Sequence, residues 1–543
     1  MSGPAAAGLA TPVRRAALAL GAVFAAVTFA TGFPQLSEVG VTWDEPRYFE
    51  SARSIQKWTS RVASGDARAL SADEIQAAWD TDRYYNPHPP VYKEGMAFTE
   101  SLIGGRFGAL TGFRASNLAM FSVLVGLVAA LTSLLVRPAG GFAAGAALLL
   151  MPRMYGHGLI AATDVPLSLF WFAATMGFFL YVRGGGRRWL VSGGAMLGLA
   201  FATKFTGLLL PVPFIAWAVL FGRNRRSITA FVYGLALAML VAVIVNPAAW
   251  HDPIAYQGRL VAESLNREAA VPISTFYFGR IHPFVVPWHH AIVMTIITLP
   301  VATLALALLA LGSLRRRGET RTLVALCLLQ MLFWWGLLAL PSSPNHDGVR
   351  LWLPMFPFVA VLAGIGFGAL GAAVRRRFRG VAATAAIAVV ASLFFFPTVL
   401  GMLHARPYYL SWYGELVGGA RGASRAGMEA TYWFDAVTAS FRERLDGALP
   451  ERAVVFAHPN PEYYQQLQAL GLLREDLRFT DELPADYVLL LARRALLEPR
   501  WAAVYDSVPP LLAAELDGVE LAGLYAWDAS NENRPVADSG DAP

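Results

Sequence analysis

Residues 351–379 read LWLPMFPFVAVLAGIGFGALGAAVRRRFR, an apolar run closed by Arg375, Arg376, Arg377 and Arg379. A helix rising 1.5 Å per residue needs roughly 20 apolar residues to cross a bilayer core of about 30 Å. Arginines packed against one end of such a run hold that end in the cytoplasm. Comparable runs lie at 15–33, 115–136, 140–156, 164–182, 189–203, 205–222, 228–248, 289–312, 321–340 and 381–403, which with 350–373 makes about eleven candidate spans. The chain is 56% hydrophobic and only 15% charged, against the roughly 25% charged residues of soluble domains. The expected fold is an all-α polytopic membrane protein of about eleven transmembrane helices.

The net charge of +6 follows the same arrangement. Arg14/Arg15, Arg137, Arg183/Arg187/Arg188, Arg223/Arg225/Arg226, Arg315/Arg316/Arg317/Arg321 and the cluster after residue 374 all fall in alternate connections. This alternation predicts a cytoplasmic N-terminus and an extracytoplasmic chain after the last span, in a cell (inner) membrane. Nucleic acid is not an expected partner, because the basic groups are scattered over separate turns and do not form one face. The first apolar run is short enough for a secretory signal, but ten further spans make an uncleaved anchor the preferred reading. Cys327 is the single cysteine, so no intrachain disulfide is available.

The polar chain is concentrated on the outer side: a first loop at 34–114, turns at 151–164 and 341–350, a loop at 246–288, and everything after residue 404. In the first loop Ile55, Trp58 and Val62, then Ile75, Ala78 and Trp79, recur at helical spacing, as in helices lying at the interface. Residues 1–403 are read as the membrane module. Residues 404–543 are read as an aromatic surface segment followed by a small α/β domain, because short β-branched runs alternate there with a helical one. The last residues, SGDAP, are expected to fray.

Reactive groups gather on that outer side. Asp44 and Glu45 follow the first span; His88 and Lys93 stand in HPPVYK; Arg153, His157 and Asp164 stand in the next turn; His346, Asp347 and Arg350 precede the tenth span. Each alone has an ordinary reading as an anchor or a solvated loop residue. Together they put acids and bases on one membrane face, where ionisable groups are costly and tend to be functional. A carboxylate can take the proton of an attacking hydroxyl or amine, while Lys, Arg and His neutralise a departing phosphate. That set suits transfer of a sugar from a polyprenyl phosphate, and a single direct displacement would invert the anomeric centre. A multi-pass transporter or a lipid-linked sugar flippase is the alternative, although neither half-to-half repeats nor ionisable residues at mid-span are visible.

The order WDEPRY, HPPVYK, Asp164 opening the fourth span, GLAFATKFTGLLL, HDGVRLWLPMFPFVA and the later PYYLSWYGELVGGARGA resembles the GT-C glycosyltransferases of the family 39 group. These are the protein-mannosyltransferase and aminoarabinose-transferase-like enzymes, and the resemblance covers about residues 13–435. It implies that Asp44 is the base or acceptor-binding acid, with Glu45 supporting it. Lys93 and Arg350, with His346 beside the latter, would meet the donor phosphate. Asp164 would be a second acid, with Arg153 and His88 near the acceptor. The implied partners are a polyprenyl-phosphate-linked sugar, membrane lipids and a glycan, lipid or protein acceptor. An outer-loop domain of the protein-mannosyltransferase type is missing, which weakens the case for a protein. No cofactor is required, and with no D-x-D pair in the outer turns a divalent metal is allowed rather than expected.

Overall fold

A computed structural model describes residues 11–80, 88–265, 273–315 and 318–527. Arg316, Arg317 and the SGDAP terminus lie outside the described residues. Among those described, seven helices are long and apolar enough to cross a membrane: Thr11–Gln35, Ala109–Leu135, Asp164–Val182, Arg225–Ile244, Glu319–Leu338, Arg350–Arg377 and Gly380–Ala405. An eighth candidate is a pair, His290–Thr298 and Val301–Arg315, bent by 113°. The chain is thus a polytopic membrane protein. The other three expected spans fold as shorter helices: Pro138–Leu149 followed by Pro152–Leu159, Arg187–Phe201, and Phe205–Phe221. Pro152 and Pro211 each start a new helix, because proline supplies no N–H to continue the preceding one.

Small residues set how closely these helices pack. A Cβ on Gly21 would stand 2.7 Å from the carbonyl oxygen of Gly126, and one on Gly126 equally close to that of Gly21. Only glycine permits that crossing, as is common where helices associate in lipid. The helix Asp164–Val182 is almost wholly buried, whereas Gly380–Ala405 and Arg225–Ile244 show most of their surface. Leu393, Phe396, Leu400 and Leu403 are among the exposed apolar side chains of the former, as a lipid-facing helix requires. The buried helix carries Asp164 at its first position, inside the bundle.

The bend after Thr298 leaves backbone groups without helical partners, and the chain after the last span supplies them. Gly414 donates its N–H to the Ile297 carbonyl at 2.7 Å, and the Val301 N–H donates to the Glu415 carboxylate at 3.1 Å. In the first loop, the expected interfacial helices are Glu45–Ala63 and Ala72–Trp79. Trp58 packs edge-on to Trp79 and donates to the Ala69 carbonyl, which fixes the two helices together. A two-stranded ribbon, β1 (Thr275–Tyr277) and β2 (Arg280–His282), stands in the 246–288 loop.

The C-terminal chain forms a five-stranded mixed sheet. Its strands are β3 (Val454–Ala457), β4 (Arg478–Thr480), β5 (Tyr487–Leu491), β6 (Leu512–Leu516) and β7 (Val519–Ala526), in the order β4-β3-β5-β7-β6. β3 pairs in parallel with β4 and β5, and β7 runs antiparallel to β5 and β6. The sequence of β5, YVLLL, is buried on both faces, as a central strand demands. The sheet unit is docked on the first loop. Tyr463 donates to the Val41 carbonyl at 2.6 Å, and Arg47 pairs with Glu462 at 2.9 Å.

Candidate active site

Asp44 stands at the N-terminal boundary of the helix Glu45–Ala63, and the two adjacent acids part there. Successive helical positions point about 100° apart, so neighbours in sequence face different surroundings. Glu45 is fully buried. Its carboxylate accepts two bonds from Arg114 at 2.7 Å, one from the Ala161 N–H at 2.8 Å and one from the Thr42 N–H at 2.8 Å. Arg114 also donates to the carbonyls of Leu36, Val39 and Gly40. This cluster fixes the loop ahead of Asp44 and leaves Glu45 no face for a substrate.

Asp44 is only partly buried. Its Oδ2 accepts from the Arg350 guanidinium at 2.8 Å and from the Trp433 indole N–H at 3.1 Å. Among the described residues no hydrogen bond is made to Oδ1. Arg350 lies over the Trp433 ring at 4.3 Å, so the aromatic segment after the last span forms one wall around the Asp44–Arg350 pair. A backbone bond from Trp43 to the Trp433 carbonyl keeps the two segments in register.

The turn before Arg350 is built for this contact. Asp347 and Gly348 both have positive φ, 57° and 63°, and a Cβ on Gly348 would press into the Tyr432 ring at 2.5 Å. Asp347 is thereby turned inward, where it meets Arg350 at 2.6 Å, His346 at 2.9 Å and Arg493 of the sheet unit at 2.9 Å. The Arg493 approach is off-line for a hydrogen bond and acts as a charge pair. Burial alone would raise the Asp347 carboxyl, but Arg350, Arg493 and His346 outweigh it and hold the group far below the usual carboxylate range.

Arg350 also borders a cavity of about 440 Å³. Its apolar wall includes Leu208, Leu209, Trp334, Leu337 and Leu338, while His88, Lys204, His346 and Arg350 give it a basic side. Lys204 pairs with Asp164 at 2.7 Å, and both are buried. The imidazole of His88 stacks on Phe205 with centroids 6.5 Å apart. A long apolar chain ending in an anion matches such a space chemically.

Of the sequence candidates, Asp44, Arg350, His346, His88 and Asp164 are thus brought to or beside this cavity. Lys93 is buried under Tyr92, with its ammonium 5.7 Å from that ring, and is not among the described residues that line the cavity. Arg153 is buried between the rings of Tyr413 and Tyr432 and donates to the Trp412 carbonyl at 2.8 Å. It fastens the aromatic segment. His157 meets the Tyr432 hydroxyl at 3.2 Å on the same segment. No group of three or more His, Cys, Asp or Glu able to hold a metal occurs among the described residues, and the three acids nearest the cavity are each paired with a cation.

Sequence reasoning gave no role to Lys204, Arg114, Trp433 or Arg493. Lys204 carried a usable signal, a lone cation inside GLAFATKFTGLLL. Arg114 also stands at the head of an apolar run. Trp433 and Arg493 carried none, since only the folded tail brings them back to the first loop and the 345–350 turn.

Comparison with known proteins bears on fold and family. The profile of the family described as dolichyl-phosphate-mannose-protein mannosyltransferase matches residues 87–251. No curated protein matches the chain. Among solved structures, ArnT from Cupriavidus metallidurans bound to undecaprenyl phosphate superposes with a TM-score of 0.50 at 13% identity, covering 93% of this chain and 97% of that one. The apo form of the same protein gives 0.49 at 14% identity, with the same coverage. The whole-chain likeness establishes the fold, and residues 87–251 carry the family signature. The protein thus has the fold of ArnT over nearly its whole length, and within that fold residues 87–251 are similar to the mannosyltransferase family.

Proposed function

We propose that this protein moves a sugar from a polyprenyl-phosphate donor to an acceptor on the extracytoplasmic face of the membrane, inverting the anomeric centre. The observation that carries the reading is the cavity of about 440 Å³, apolar along one wall and basic where it reaches Arg350, which in turn holds Asp44. The ArnT structure of like fold was solved with undecaprenyl phosphate, which supports a carrier of that class here.

In this reading the polyprenyl tail lies along Leu208, Leu209, Leu337 and Leu338, and the phosphate meets Arg350, Lys204, His346 and His88. Lys93, buried on the helix Val91–Thr99, does not line the cavity and is given no direct contact with the phosphate in this reading. The acceptor hydroxyl or amine approaches Asp44 Oδ1. As its oxygen or nitrogen bonds to the anomeric carbon, the bond from that carbon to the phosphate oxygen breaks. The proton passes to Asp44, and the electron pair leaves on the phosphate, where the cations stabilise it. Asp164 sets the position of Lys204, and Glu45 sets the backbone that carries Asp44. The arginine pattern of the connections supports an extracytoplasmic site and a cytoplasmic N-terminus.

The test is transfer of radiolabelled sugar from a panel of polyprenyl-phosphate sugars in membranes carrying equal amounts of wild type or Asp44→Asn. Loss of the base should lower the rate about a hundredfold or more. Transfer that survives the substitution removes Asp44 from the reaction. If no donor supports transfer, the transporter or flippase reading takes its place.

A further inference from the structure

Arg493 follows the central strand β5 of the sheet unit, two residues beyond Leu491, and its guanidinium lies against the 345–350 turn. It is nearly inaccessible. One nitrogen donates to the Tyr432 carbonyl at 2.6 Å, another stands 2.9 Å from Asp347, and the group lies over the Phe434 ring at 5.4 Å. The charges around it form an alternating row: Arg493, Asp347, Arg350, Asp44. Two cations and two carboxylates balance, so each interior member is shared between two neighbours. Asp347 divides its carboxylate between Arg493 and Arg350, and Arg350 divides its guanidinium between Asp347 and Asp44.

We propose that Arg493 is a positioning residue for the transfer reaction, acting through Asp347 on Arg350, so that the C-terminal sheet unit is a working part of the site. The inference rests on the glycosyltransferase reading for what Arg350 and Asp44 then do.

Three features carry it. Asp347 holds a left-handed backbone conformation that a non-glycine residue keeps only where its surroundings hold it, and Arg493 is one of the groups that do. The same guanidinium holds the Tyr432 carbonyl, whose neighbour Trp433 is bonded to Asp44, so one side chain locks the turn and the aromatic wall in mutual register. Glu429 joins this anchorage from the other side. It accepts from the backbone N–H groups of Arg494 and Ala495, which fixes the segment that follows Arg493. Without Arg493, Asp347 has Arg350 as its one remaining arginine. It then draws that guanidinium away from Asp44 and from the phosphate side of the cavity.

The test uses the full-length chain in lipid nanodiscs, with Arg493→Gln, Arg493→Lys, Asp347→Asn and the Arg493→Gln/Asp347→Asn double variant. Two readouts are taken: kcat for transfer from a donor that wild type uses, and affinity for undecaprenyl phosphate alone. Arg493→Gln should lower kcat at least tenfold and weaken undecaprenyl phosphate binding at least threefold, while Arg493→Lys, which keeps the charge beside Asp347 but not the fork that also reaches the Tyr432 carbonyl, recovers part of both. The double variant should be no worse than Asp347→Asn, because a residue acting through another has nothing left to act on.

Wild-type kcat and affinity in Arg493→Gln overturn the proposal. So do losses that add independently in the double variant, or a lysine variant as poor as glutamine, since each marks a merely structural arginine. If wild type binds undecaprenyl phosphate but transfers no sugar, the function reading fails alone. The binding cycle then still decides the role of Arg493.

Discussion

Asp44 and Arg350 are 306 residues apart in sequence and 2.8 Å apart in the fold, and Arg350 is held at the same time by Asp347. A planar, forked guanidinium can serve both carboxylates at once, whereas an ammonium is a point charge. Arg350→Lys should therefore behave as a damaging change. We expect it to lower transfer at least tenfold with the protein still folded, measured as kcat against melting temperature. Near-normal transfer would show that charge alone suffices at this position.

The Glu45–Arg114 pair has zero exposure on both sides. Breaking a buried pair by neutralising one partner leaves the other charge without compensation, at a cost of about 3–5 kcal/mol. Glu45→Gln should thus reduce folded yield and melting temperature sharply, while any protein that does fold keeps measurable transfer. A variant that is stable but inactive would instead give Glu45 a direct part in the chemistry.

Lys204 and Asp164 are paired within the buried bundle beside the cavity. Lys204→Met should weaken undecaprenyl phosphate binding about tenfold or more, because it removes a cation from the basic side. Asp164→Asn frees the ammonium but loosens its position, so its effect on affinity should be smaller. The two changes should be clearly non-additive. Independent effects, seen in a binding cycle of the single and double variants, would separate Asp164 from Lys204.

Glu429 gives the sheet unit a pH dependence of defined sign. Burial pushes its carboxyl up to about 7, against the opposing pull of Arg493 and of the N–H groups of Ala495, Arg494 and Phe276. A carboxyl raised in the folded state stabilises below its unfolded value of 4.5 and loses that contribution as pH rises through about 7. Melting temperature should therefore decline between pH 4.5 and 7 more steeply in wild type than in Glu429→Gln. Identical slopes would assign the decline to other groups.

Much of the membrane part was legible because bilayer crossing imposes length and apolarity on contiguous residues. Helices appear at each of the apolar runs, but the run at 140–156 breaks into Pro138–Leu149 and Pro152–Leu159, and Arg187–Phe201 and Phe205–Phe221 are short for a full crossing. The resemblance gave Asp44 the leading part and Glu45 a supporting one, but the contacts that set the two acids apart were not legible. The burial of Glu45 depends on Arg114 and the Ala161 N–H, 69 and 116 residues away from it. Lys93 attracted attention through its prolines, while Lys204, in the gap between the spans read at 189–203 and 205–222, was given no role. The folded return of Trp433 and Arg493 has no local signature, because sheet pairing and docking of the sheet unit on the first loop decide it.

The cap on the bent helix bears on how the chain is made. Val301 leaves the ribosome 114 residues before Glu415, whose carboxylate accepts its N–H. At roughly 5–20 residues per second, the bent segment waits on the order of ten seconds for that partner to be synthesised. During that interval its exposed peptide groups must be sheltered by water, lipid headgroups or the insertion machinery. Messages truncated between these two points would yield chains with an unclosed membrane segment, a feature by which quality-control proteases could tell unfinished copies from complete ones.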